Sequence, residues 1–126
     1  MFGLVDDVSA YPRRFDWCED AQVVEQNSSV RVARLDVRMS GLRSSFTTRN
    51  IVYPNERIEM TLVDGPFRAF AGTWLFTPLG ESGSKVELRL DFEMAGKLVG
   101  SALAMGFQRL ADRMVSDFVR EARSLA

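Results

Sequence analysis

From Lys85 to Met94 the chain alternates without a fault. Val86, Leu88, Leu90, Phe92 and Met94 fall on one side, and Lys85, Glu87, Arg89, Asp91 and Glu93 on the other. A period of two is that of a β-strand with one apolar and one wet face. Parallel sheets bury both faces, so this pattern predicts an antiparallel sheet with one face in solvent. Four further runs repeat it. Ala33, Leu35, Val37 and Met39 alternate with Arg34, Asp36 and Arg38, and Ile58, Met60 and Leu62 alternate with Arg57, Glu59 and Thr61. Phe70, Gly72, Trp74 and Phe76 share one face, as do Phe46, Thr48, Asn50 and Val52. A weaker strand is expected over Ala21 to Gln26. Turn residues separate the runs, at Asn27-Ser28-Ser29, Ser40-Gly41, Pro54-Asn55-Glu56, Asp64-Gly65-Pro66 and Gly80-Glu81-Ser82-Gly83. Short strands joined by short turns predict a meander over 20–94.

The period then changes. From Lys97 to Leu125, Leu103, Phe107, Leu110, Ala111, Met114, Val115, Phe118 and Ala122 recur at intervals of three and four. This predicts an amphipathic helix of about seven turns, roughly 40 Å long. Sheet face and helix stripe both need cover, and one long helix laid across the inner face of one sheet supplies it. Residues 1–17 read as short helices: Phe2, Leu4, Val5 and Val8 make a brief stripe, and Pro12 is suited to the first position of a second helix. The expected fold is α+β: one domain over 1–126, with a helical N-terminus (1–17), an antiparallel meander (20–94) and a C-terminal helix (97–125).

Composition narrows the chemistry. The chain has 126 residues, one domain by size, and a net charge of −1. That balance gives no long-range attraction to nucleic acid or anionic lipid, so any such contact needs a local patch. The absence of histidine removes the commonest general base and the commonest metal ligand. Cys18 is the one cysteine, which fits a cytoplasmic setting, and a structural thiol is the expected role because no base is readable beside it. No apolar run approaches the ~20 residues that span a bilayer.

Four motifs occur in order: Ala10-Tyr11-Pro12 followed by Trp17-Cys18; Ser45-Phe46-Thr47-Thr48-Arg49-Asn50; Val63-Asp64-Gly65-Pro66-Phe67; and Gly72-Thr73-Trp74-Leu75-Phe76-Thr77-Pro78. Through them the chain resembles the START-like (helix-grip, SRPBCC) proteins of the ribosome-association toxin RatA and coenzyme Q-binding family, also labelled polyketide cyclase/dehydrase. The resemblance implies a curved sheet wrapped around the C-terminal helix. It also implies an edge strand ahead of the first helix, beside strand 85–94, which the sequence from Met1 onward does not show; without it an edge is left open.

The same resemblance implies an open cavity between sheet and helix. It would be lined by Leu35, Val37, Phe46, Thr48, Asn50, Met60, Trp74, Phe76, Leu90, Phe92, Leu103, Phe107, Leu110 and Met114. Read from the residues alone, these pack as core equally well. Thr48 and Asn50 are the polar pair expected to bond a quinone carbonyl, or are simply satisfied strand groups. Gly41 and Leu42, with Gly65, Pro66 and Phe67, form loops at the mouth. They read either as ordinary turns or, with Leu42 and Phe67 each beside an Arg, as a peripheral contact with the inner membrane. On the outer face, with Met39 placed opposite Ser44, Arg34 faces Arg49 and Arg38 joins them. That is a modest basic patch suited to RNA phosphates, or a solvated strand face. No nucleophile–base pair is readable, so an enzyme is not expected, and no cofactor is required beyond a bound ubiquinone or lipid. The first functional reading is a carrier of ubiquinone or another polyprenyl or acyl lipid. The alternative is a RatA-like toxin that binds the large ribosomal subunit and blocks subunit association. A cyclase or aromatase is the third, and DNA is not an expected partner.

Overall fold

A computed structural model describes residues 1–39, 42–81, 83–95 and 100–125. The N-terminal stretch folds as α1 (Phe2–Asp6), a 3-10 turn (Val8–Ala10) and α2 (Tyr11–Arg14), with Pro12 in the first turn of α2. Six strands follow, β1 (Cys18–Gln26), β2 (Val30–Met39), β3 (Leu42–Tyr53), β4 (Arg57–Asp64), β5 (Phe67–Leu79) and β6 (Gly83–Met94), and then α3 (Gly100–Leu125). All six form one antiparallel sheet in sequence order, so each strand pairs with its chain neighbours and β1 and β6 are its edges. This is the predicted α+β helix-grip architecture. Residues 97–99 of the expected helix lie outside the described residues.

The strand that alternates least clearly in sequence, β1, is also the least regular. Its register shifts between Cys18 and Asp20 and again between Val23 and Glu25, which breaks the period of two. Another shift, between Thr47 and Thr48, sets the extra residue Val63 outward on β4, and a further one follows Phe67 on β5. Such bulges bend strands and let a sheet curve around a helix. The β3–β4 turn closes through Asn55 at φ 60°, a left-handed conformation that asparagine tolerates.

The β2–β3 register differs from the sequence expectation. Met39 pairs with Leu42, not Ser44, so Arg34 lies opposite Thr47, Asp36 opposite Ser45, and Arg49 opposite Val32. Every pair is shifted by two, which preserves the faces and changes the neighbours.

Two aromatic clusters pin α3 to the sheet. Near the 65–66 turn, Phe107 meets Phe67, Phe92 and Phe46 edge-on, with centroids 4.9, 4.8 and 5.9 Å away. Eleven residues on, about 16 Å along the axis, Phe118 sits fully buried among Tyr11, Phe15, Trp17 and Trp74. Each edge-to-face pair adds about 0.5–1.5 kcal/mol beyond its buried area. Between the clusters the facing residues are small: Ala111 on the helix and Ala33 on β2, both buried.

Candidate functional site

Rings hold the helix off the sheet at both ends and alanines leave the middle unfilled, so a cavity of about 50 Å³ remains there. Of the expected lining, Leu35, Phe46, Thr48, Asn50, Met60, Trp74, Leu90, Phe107 and Met114 surround it. Val37, Phe76 and Leu110 instead pack as buried core, and Phe92 belongs to the aromatic cluster beside Phe67. The Leu103 side chain lies outside the described residues. The wall that sequence reasoning missed is the N-terminal one, made by Val5, Asp6, Val8 and Tyr11. Its only sequence signal is the short stripe in residues 1–8, which does not say against what it packs.

Gly72 shapes the floor. A Cβ there would meet Met60 Cε at 2.8 Å and Leu90 Cδ2 at 2.9 Å, so the glycine lets side chains from both neighbouring strands fold over β5.

The polar groups are few. Thr48 and Asn50, two residues apart on the inner face of β3, are 5% and 8% exposed. The Thr48 hydroxyl donates to Asn50 Oδ1 at 2.8 Å. That bond orients the amide, so the NH2 of Asn50 is the side left without an acceptor among the described residues. The Tyr11 hydroxyl is occupied, donating to the Val5 carbonyl. Burial, helped by the negative charge of Asp6, raises its pKa and keeps it neutral. Asp6 is the one charged residue in the lining, and Arg31 pairs with it at 3.5 Å. The cavity thus offers one oriented neutral donor in an apolar setting and no cation. Among its described lining residues no nucleophile–base pair is present.

The other expected sites change more. Phe67, expected as an exposed tip, is 6% exposed and sits in the aromatic cluster, so it has no surface to insert into a membrane. Gly65 at φ 155° has its Cβ position 2.9 Å from Phe46 Cβ, which requires glycine for packing, and Pro66 accepts a backbone bond from Ala95 at 2.9 Å. Gly41 lies outside the described residues, as does the side chain of Leu42. Among the described residues no helix is long and apolar enough to cross a membrane.

On the outer face, Arg34 pairs with Asp36 at 3.2 Å, and Arg38 and Arg43 share Glu19 at 2.7 and 3.1 Å. The hydrogen bond from Arg38 holds Glu19 below the usual carboxylate range. Only Arg49 of the expected patch is without a carboxylate partner among the described residues. Cys18 is buried, its thiol pushed up to about 11, mainly by burial.

A buried carboxylate was also missed. Asp117, which reads as outward from its polar neighbours, is 4% exposed. It accepts from Trp17 Nε1 at 3.0 Å and from Arg120 at 2.5 Å, with Arg113 Nε at 3.6 Å. Nothing local in the sequence links positions 17 and 117.

A curved antiparallel sheet closed by one long helix over an apolar cavity defines a START-like, helix-grip protein. A START superfamily protein from Mycobacterium smegmatis superposes with a TM-score of 0.82 at 21% identity, over 99% of this chain and 88% of that one. The ZhuI aromatase/cyclase of Streptomyces does so with a TM-score of 0.86 at 22% identity, over 97% of this chain and 84% of that one. The model of the polyketide cyclase/dehydrase and lipid transport family matches residues 1–119, and the chain belongs to that family. The Vibrio cholerae ribosome association toxin RatA is 43% identical over 125 residues, 99% of this chain and 87% of that protein. The mitochondrial coenzyme Q-binding protein coq10 of Schizosaccharomyces pombe is 26% identical, over 98% of this chain and 78% of that protein.

Proposed function

We propose that this protein acts on ribosomes, binding the large subunit and blocking its association with the small one. The observation that carries this reading is the 43% identity to RatA across 99% of the chain, against 26% to the coenzyme Q-binding relative. The cavity agrees with that order. About 50 Å³ is room for roughly three to five waters, not for a polyprenyl or acyl chain. The test is subunit reassociation. Dissociated bacterial subunits are returned to associating Mg2+ with and without the protein and separated on a sucrose gradient. A smaller monosome peak, with the protein migrating with the large subunit, is expected. A full monosome peak, with the protein left at the top of the gradient, refutes the reading.

A second reading is supported by one specific observation, the oriented Asn50 amide above an apolar floor. An uncharged ligand with a carbonyl oxygen, such as a quinone head, matches one donor and no cation better than a fatty-acid carboxylate does. Short-chain quinones should raise the melting temperature of the protein and not of Asn50→Leu. Equal responses from the two proteins would remove this reading. The cyclase reading has the family's description and a fold likeness at 22% identity behind it, and one fold serves many functions.

A further inference from the structure

We propose that Arg109, Arg113, Arg120 and Arg123, aligned on the solvent side of α3, form the surface that grips the phosphate backbone of structured RNA. The proposal deepens the ribosome reading above and rests on it.

The helix itself makes the alignment. At 100° per residue these four positions fall within an arc of about 80°, and they extend over about 21 Å of axis. All four are exposed. In the linear sequence Asp112, Asp117 and Glu121 interrupt them, so the segment reads as mixed charge. Folding moves two of these three acids off the stripe. Asp117 turns inward to the Trp17 indole, and Glu121 lies about 100° around the helix from Arg120. Asp112 remains at the edge of the stripe, where it accepts from Gln108 at 3.2 Å.

Not every arginine is equally free. Arg113 also pairs with Asp16, and both Arg113 and Arg120 reach the buried Asp117. Their side chains nonetheless stay 52% and 76% exposed. Arg109 and Arg123, at the two ends of the stripe, have no carboxylate within ion-pair distance among the described residues. On the outer sheet face Arg34, Arg38 and Arg43 are held by Asp36 or Glu19, which leaves Arg49 alone without a carboxylate partner among the described residues there, against two arginines on the stripe.

The stripe suits RNA better than a lipid surface. A guanidinium binds phosphate through paired N–H donors, and structured RNA offers its phosphates in fixed rows that a straight helix can follow. Membrane-surface helices instead need a free apolar face, and that of α3, formed by Phe107, Leu110, Met114 and Phe118, is buried. Only Met105 adds an exposed large apolar side chain to the described part of the helix.

The experiment measures the affinity of the protein for isolated large ribosomal subunits across a salt series. Three proteins are compared: the parent, Arg109→Glu/Arg123→Glu, and Arg34→Glu/Arg38→Glu/Arg49→Glu. Circular dichroism first checks that each is folded. The α3 variant should bind about tenfold or more weakly, with its log–log salt slope smaller by about two, one per lost phosphate contact. The sheet variant should stay within about threefold of the parent. If the parent binds and the α3 variant binds equally well, the stripe is not the surface. If only the sheet variant fails, the surface is the outer face. Stripe-dependent binding to anionic phosphatidylglycerol vesicles without ribosome binding overturns the choice of RNA. A parent that binds no subunits overturns the ribosome reading itself, and the proposal with it.

Discussion

Asp117→Ala should be among the more damaging single changes in this protein, and its cost should depend on Trp17. The indole is 1% exposed and Asp117 is 4% exposed, and the bond between them is 3.0 Å long. A hydrogen bond to a charged group contributes about 1.5–3 kcal/mol, and a buried donor left unpaired costs about 1–3 kcal/mol. The two arginines on Asp117 are more than half exposed, so their pairing adds at most about 1 kcal/mol. Asp117→Ala should therefore destabilise the fold by about 2–4 kcal/mol. In a Trp17→Phe background no indole N–H remains to be stranded, and the same substitution should cost about 1–2 kcal/mol less. Urea unfolding followed by far-ultraviolet circular dichroism on the four proteins of the cycle measures both numbers. Costs that add to within about 0.5 kcal/mol would show that the two residues are uncoupled. The clamp between the N-terminal segment and α3 would then be apolar packing alone.

Gly72→Ala should push Met60 and Leu90 into the cavity at a cost of about 1–2 kcal/mol, since both contacts are flexible ends beside open space; a cost near zero in urea unfolding would mean that those ends do not cover the glycine. Thr48→Val/Asn50→Leu removes both partners of one buried bond, so stability should stay within about 1 kcal/mol of the parent or rise; a loss above about 3 kcal/mol would make the pair structural. Cys18 has its thiol raised from 9.0 to about 11, so it is neutral in both states below pH 9. Above that the unfolded thiol ionises first, and stability should fall as pH rises from 9 toward 11. The fall should be shallower in Cys18→Ala, and identical pH profiles for the two proteins would show that the thiol does not titrate differently on folding.

Strand and helix positions were legible in the sequence wherever one side of an element faces water. The alternation at 85–94 and the three–four spacing at 103–122 need no partner to be read, because the period belongs to the element itself. β1 was faint because its register shifts twice, and bulges destroy the period by which strands are recognised. The polar pair Thr48 and Asn50 could be placed on the inner face by parity alone.

Tertiary structure decided what the elements do to one another. Which apolar residues line space and which fill it depended on two ring clusters, and those join residues far apart in the chain. The β2–β3 register set the neighbours of Arg34 and Arg49, and parity could not. Phe67 went inward although its flanking residues mark a turn. Asp117 is the sharpest case. Its sequence neighbourhood is that of a solvated helix face, and an indole one hundred positions away drew it inside. Alternation and spacing are local properties carried by consecutive residues; burial, pairing and the sign of a surface are set by whichever distant side chain arrives opposite.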